Sequence, residues 1–221
     1  MRVLVVSAHM DDEVLGAGGT IAKHVLQDDE LTVCILANRA YDHKYDDKLI
    51  NKQKESAFKA KDILGYSNLV FLDLKDEQLD DKTIDILTPL ERVFKKVEPE
   101  VVYLNHQGDT NQDHKASFAA GIIACRSFAN LSLKRVLSCE VLSSTEQIPP
   151  FKELAFLPNY YSDIEKHLDK KVQAMACYEQ EFKNFPHPRS AEAITALAKK
   201  RGTEAGFKAA EAFVLIKEKW F

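Results

Sequence analysis

No stretch of the chain approaches the ~20 consecutive apolar residues that a membrane helix needs, and no membrane partner is expected. A basic excess is missing as well: 30 lysines and arginines stand against 34 aspartates and glutamates, a net charge of −4. That balance lacks the electrostatic footprint of nucleic-acid binding. Near the N-terminus the only apolar run is Val3–Val6. It is far short of a signal-peptide core, and carboxylates follow it at once. Cysteines are few (Cys34, Cys125, Cys139, Cys177) and form no C-x-x-C pair. Each lies in an apolar run and reads as a buried free thiol rather than as half a disulfide or a zinc ligand. These absences together lead us to expect a cytoplasmic, reducing location. There is no repeat, no low-complexity tract and no compositional break, so residues 1–221 read as one domain.

What the chain does have is alternation. Val3–Ser7, Leu31–Ala37, Leu69–Leu72 and Val101–Asn105 are short runs rich in Val, Ile and Leu. Between them, Glu13–Gln27, Lys48–Leu64 and Lys82–Val97 carry apolar residues at helical spacing, and Gly65 is placed to cap the second of these. Continuous apolar strands alternating with helices predict an α/β fold with a parallel sheet covered on both faces. A further helix is expected over Lys115–Phe128 with Asp113 near its N-cap, and then a strand over Arg135–Leu142. Ser143–Ser162 is irregular. Helices over Ile164–Glu181 and Glu192–Lys200 and a last strand over Ala212–Ile216 follow.

In such a sheet the ligand crevice lies outside the carboxyl ends of the strands. Two segments there are unusually polar: His9-Met10-Asp11-Asp12-Glu13 after the first strand, and His106 to His114 after the fourth. Imidazoles and carboxylates together suit zinc or a similar divalent ion. His9 and Asp12, three apart on a tight turn, can face one ion, and His114 can close the set. A three-ligand site keeps a position open for a water whose pKa falls towards ~7. Asp11 is then left to take the water's proton.

Plainer readings exist for the same residues. Asp11, Asp12 and Glu13 suit the positive end of a helix dipole, and Asp113 could be a simple cap. Gly16-Ala-Gly18-Gly19-Thr20-Ile21 resembles the start of a dinucleotide-binding G-x-G-x-x-G. Its sixth position is Ile21, however, and it does not follow the strand directly. The glycines read better as close-packing positions of the first helix.

Ala8-His9-Met10-Asp11-Asp12-Glu13 resembles the A-H-P-D-D-E motif of the PIG-L/LmbE-like zinc N-deacetylases. That family includes enzymes acting on N-acetylglucosaminyl-phosphatidylinositol and on the N-acetylglucosaminyl-malate and -inositol intermediates of low-molecular-weight thiols. The likeness extends along most of the chain, through Asn51–Gly65, Phe71–Leu79, Asn111–His114, Phe156–Ile164 and Lys171–Tyr178. It implies a single Rossmann-like domain with one Zn2+, or another divalent metal, per chain. His9, Asp12 and His114 would be the metal ligands, Asp11 the general base and Asp113 a support behind the ligands. Two positions depart from the pattern. Met10 replaces a proline. Asn111 stands where many members have a histidine, and an amide can donate to an oxyanion but cannot supply a proton near neutral pH. His106 is the alternative acid, with a loop histidine bonded to backbone as its other reading; Asp11 returning its proton is a third route.

For substrate contacts the sequence offers Arg39 after the second strand, Asp76 by the family pattern, Glu140 at the end of the 135–142 strand, and Arg189 beside a helix start as an anion contact. Each also reads as an ordinary surface charge. The expected partner is a soluble N-acetylated sugar conjugate, nucleotide- or phosphate-linked. Homo-oligomers are common in the family. The rival functions are an amidase or deformylase acting on a non-sugar substrate, and a non-catalytic sugar- or nucleotide-binding module.

Overall fold

The computed structural model describes residues 1–220. Seven strands form one sheet, in the order β3-β2-β1-β4-β5-β7-β6. They are β1 (Arg2–Ser7), β2 (Glu30–Asn38), β3 (Asn68–Lys75), β4 (Val101–Leu104), β5 (Arg135–Cys139), β6 (Tyr160–Asp163) and β7 (Ala210–Glu218). The helices are α1 (Asp12–Leu26), α2 (Asp47–Leu64), α3 (Thr83–Val97), α4 (Gln112–Ala124), α5 (Leu168–Ala176) and α6 (Ala191–Ala205). β1 to β5 are parallel, and β7 runs antiparallel to both β5 and β6. The mostly parallel α/β domain anticipated from the alternation is what forms.

Side chains alternate across β1 and divide the core in two. Val3 and Val5 pack with Val14 and Leu15 of α1, Ala57 and Leu64 of α2, and Met175 of α5. Leu4 and Val6 pack on the other face with Ile86, Leu90 and Phe94 of α3 and Ala120 of α4. Both faces being covered explains why the central strands read as unbroken apolar runs. Cys34, Cys125 and Cys139 are buried free thiols and Cys177 is half-buried, also free.

Several boundaries differ from expectation. α4 begins at Gln112, and its N-cap is Asn111 rather than Asp113; the Asn111 side chain accepts from Asp113 N and His114 N. It stops at Ala124, whose carbonyl is taken by the Asn130 side chain. β5 ends at Cys139, because the chain turns where Val141 N donates to Thr145 Oγ1 at 2.8 Å. The long helix expected over Ile164–Glu181 is only α5, preceded by a single turn at Glu165–His167. β6, a four-residue edge strand, was not anticipated.

β1 leads through α1 to β2 on one side, and β4 lies on the other side of β1. Their carboxyl ends open where the strand order reverses, the place at which open α/β sheets hold ligands.

Candidate metal centre and active site

The loop after β1 is tied to the loop after β4. Asn105 Oδ1 accepts from Ala8 N at 3.0 Å and from Ser117 Oγ at 3.1 Å, and its Nδ2 donates to Asp12 Oδ2 at 3.2 Å. Asp11 bends the chain into α1 with φ 112°. A non-glycine residue there carries backbone strain that only over-determined surroundings maintain. Its carbonyl accepts from Val14 N and Leu15 N and starts the helix. Gly16 lets that helix lie against the sheet: a Cβ there would come within 2.9 Å of Cys139 Cβ.

This turn brings His9 Nδ1, Asp12 Oδ2 and His114 Nε2 together. The three edges of the triangle are 3.6 Å (His9–Asp12), 3.2 Å (His114–Asp12) and 3.3 Å (His114–His9). Ligands about 2.0–2.2 Å from one tetrahedral ion are separated by about 3.3–3.6 Å, so the donor set fits a single divalent cation. All three residues are buried. Each imidazole has a carboxylate behind it. His114 Nδ1 lies 2.7 Å from Asp109 Oδ2, and His9 Nε2 lies 2.9 Å from Asp76 Oδ1 and 3.2 Å from Asp113 Oδ2. Such pairs fix the tautomer that leaves the ligand nitrogen bare. Asp113 and Asp76 are themselves held, Asp113 by Glu77 N and Leu79 N and Asp76 by Ala40 N.

The electrostatics agree with a cation site. Burial disfavours the imidazolium of His9, but hydrogen bonds to Asp113, Asp12 and Asp76 raise its pKa well above the ordinary value. His114 is likewise carried up to about 9, burial being outweighed by Asp12 and Asp109. Burial also opposes ionisation of Asp12, yet the two histidines hold it well below the usual carboxylate range. The carboxylates here favour positive charge, which a divalent ion held by His9, Asp12 and His114 would supply.

Asp11 sits beside this group in different company. It is fully buried, and neither carboxylate oxygen has a hydrogen-bond partner among the described residues. Burial raises its pKa to about 6, against the pull of Arg189, whose Nη1 lies 3.5 Å from Oδ2. Glu13 supports the turn: its Oε2 accepts from Asp11 N at 3.1 Å and its Oε1 from Tyr178 Oη at 2.5 Å. Burial pushes Glu13 up to about 7. Arg189 Nη1 also binds Glu181, and its Nε donates to Ser143 Oγ at 2.8 Å. Glu181 Oε1 accepts from Tyr41 Oη at 2.8 Å and lies 3.4 Å from Arg39 Nε.

His9, Asp11, Asp12 and His114 therefore meet, with Asp113 behind them and Arg39 and Arg189 on the Asp11 side. Asn111 spends its carbonyl oxygen on the α4 cap and keeps its amide nitrogen as a donor. Three expected residues are placed otherwise. Asp76 backs His9 instead of standing free for substrate. Both Glu140 oxygens accept from Arg201, through Nε and Nη2 at 2.7 Å each, so the carboxylate is paired with an arginine rather than standing free at the metal loop. His106 is buried with Nδ1 3.3 Å from Ser138 Oγ and Nε2 3.0 Å from the Leu154 carbonyl, which commits both nitrogens that an acid would need. Glu140, Arg201 and Phe156 instead line a cavity of about 380 Å³ with Val141, Ile148 and Leu197. Asp109, Tyr178 and Glu181 were given no role from the sequence, and Glu13 only that of a first-turn acid within the motif. Asp109, five residues before a candidate ligand, was the one with a local signal.

Known proteins share this arrangement of chain. The chain is 26% identical over 179 residues to the uncharacterized deacetylase YaiS of Escherichia coli strain K12, covering 78% of this chain and 88% of that protein. It is 31% identical over 189 residues to the 4-oxalmesaconate hydratase of Pseudomonas putida KT2440, covering 79% and 71%. The N,N'-diacetylchitobiose deacetylase structure from Pyrococcus horikoshii superposes with a TM-score of 0.75 at 18% identity, covering 97% of this chain and 83% of that one. Residues 4–125, which span the β1 turn and the whole of α4, match the PIG-L family model, GlcNAc-PI de-N-acetylase, and the chain belongs to that family.

Proposed function

We propose that this protein is a metal-dependent N-deacetylase that removes the acetyl group from an N-acetylglucosamine-type amino-sugar conjugate. The observation that carries this reading is the closed triangle of His9 Nδ1, Asp12 Oδ2 and His114 Nε2 beside the unpartnered carboxylate of Asp11. The family description and the deacetylases among its relatives support it. His9, Asp12 and His114 would hold the ion, zinc by the character of the donors. When bound, it supplies a Lewis acid for the acetamide carbonyl and acidifies a water molecule.

The chain's own groups do the rest. Asp109, Asp76 and Asp113 fix the two imidazoles. Asp11 accepts the proton of the attacking water at a carboxylate oxygen. The Asn111 amide donates to the oxyanion that forms. With His106 engaged elsewhere, Asp11 returns the proton to the leaving amine nitrogen. A carboxyl pushed up to about 6 by burial suits both directions of transfer. Arg39 and Arg189 contact the substrate on the Asp11 side. The partner is a soluble, nucleotide- or phosphate-linked sugar conjugate, the setting cytoplasmic and the assembly a homo-oligomer. No described helix is long and apolar enough to cross a membrane.

The relative at 31% identity supports a second reading, in which the same water-activating group serves addition rather than amide cleavage. Metal-loaded protein offered a panel of N-acetylhexosamine conjugates and, separately, 4-oxalmesaconate separates the two. Amine release from a conjugate is expected. Hydration of 4-oxalmesaconate with no amine release from any conjugate would establish the second reading instead.

A further inference from the structure

We propose that Arg39 and Arg189 form a subsite for a carboxylate or phosphate group that the substrate carries close to its reacting bond. This rests on the reading above only in taking Asp11 to face that bond.

The two guanidinium groups come from distant parts of the chain, one after β2 and one before α6, and bracket the same carboxylate. Arg39 Nε lies 3.4 Å from Glu181 Oε1, and Arg189 Nη1 binds Glu181 Oε2. Glu181 is itself buried and also receives the Tyr41 hydroxyl, so its position is fixed from three sides. Both arginines thus face Glu181, and Arg189 also pairs with Asp11 at 3.5 Å, but Asp11 makes no hydrogen bond to either of them.

Most of the donors are left over. Each guanidinium carries five N–H donors in a planar fork. Arg39 makes no hydrogen bond among the described residues, and Arg189 uses Nε and Nη1 but not Nη2. Yet both side chains are mostly buried, 22% exposed for Arg39 and 12% for Arg189. Removing an arginine from water without giving its donors acceptors is costly. An arginine needed only to neutralise Glu181 would turn its fork onto that carboxylate, as Arg201 does with Glu140 at 2.7 Å through two nitrogens. Arg39 instead makes only the 3.4 Å contact to Glu181, and Arg189 leaves Nη2 without an acceptor among the described residues. Planar, bidentate-capable donors of this kind select carboxylate or phosphate oxygens. Since Arg189 Nη1 is 3.5 Å from Asp11 Oδ2, the anion lies next to the reacting centre and not at the far end of an aglycone. A neutral N-acetylhexosamine would leave these donors unanswered.

Calorimetric titration of the metal-loaded protein with succinate, and separately with methyl phosphate, tests this. One of the two should bind the native protein, and the one that binds tells carboxylate from phosphate. Arg39→Gln and Arg189→Gln should each weaken that binding by about tenfold or more with metal content unchanged. Arg39→Lys keeps the charge while losing the fork. It should fall between the two, and it covers the case of a glutamine variant that does not fold. Equal binding by native and variant proteins would mean that the anion sits on the metal or elsewhere, and would overturn the proposal; so would binding of neither anion to folded native protein. The titration needs no turnover. Anion binding by an enzyme that releases no amine would count against the deacetylase reading alone, and amine release by an enzyme that binds neither anion would count against this subsite alone.

Discussion

Asp11 occupies a strained backbone position, is fully buried, and has no hydrogen-bond partner for either carboxylate oxygen among the described residues. Folding alone gives no reason to keep such a group; a proton-transfer role does. Its neighbours show the opposite logic, since the histidines are bonded on both sides. Asp109 is the clearest test of that support. It has one recorded task, to hold His114 Nδ1 at 2.7 Å. Asp109→Asn should lower metal affinity by about 10- to 100-fold while the protein stays folded. Competition with a chromophoric chelator measures this, and unchanged affinity would show that Asp109 does not orient the ligand. At this scale the sequence was legible where chemistry clusters locally: His9, Asp11 and Asp12 share one turn, and His114 opens the next loop's helix. It was not legible where the partner is remote. Tyr178 reaches Glu13 across 165 positions, and Glu181 reaches Tyr41 across 140. No spacing rule announces such pairs. Asp76 was found by resemblance, but its pairing with His9 was not.

Among the elements, α1 carries the most. Its first turn supplies Asp12, and its glycines allow close neighbours: a Cβ on Gly19 would come within 2.8 Å of Ile164. That approach leaves the amides of Gly19 and Thr20 to be met by Glu211 of β7, at 2.9 and 2.7 Å. Lys171 of α5 completes the clamp, donating to Glu211 Oε1 at 2.7 Å and to the Leu15 carbonyl at 2.8 Å. Lys171→Met should destabilise the protein by about 3 kcal/mol, because Glu211 keeps its two amide donors but loses its counter-charge in a buried place. Urea unfolding measures it, and a loss below about 1 kcal/mol would show that the clamp is not held by this pair. The expected role of the glycines in close packing is what α1 displays. The elements misjudged in the sequence were those whose ends are set by side chains from elsewhere. α4 is stopped by Asn130, and β5 is turned by Thr145. β6 is an edge strand of four residues, mostly half-buried, after a proline-bearing loop, and it lacks the apolar run by which the central strands are read.

For the whole molecule, strand order is the feature that matters. Placing β4 beside β1 lets segments a hundred residues apart share one crevice. The alternating pattern implied a parallel sheet, and polar loops at strand ends implied where it would be used. The antiparallel direction of β7 was beyond that pattern, because α5 and α6 precede β7 as helices precede the parallel strands, and yet it pairs antiparallel with β5 and β6. The central claim is that this crevice is a metal centre with Asp11 as its base. The most direct test is amine release from the best N-acetylhexosamine conjugate by Asp11→Asn against native protein, with bound metal measured in both. The account predicts equal metal content, one ion per chain, and a rate lowered by about 10²- to 10⁴-fold in the variant. Equal metal and an undiminished rate would contradict it.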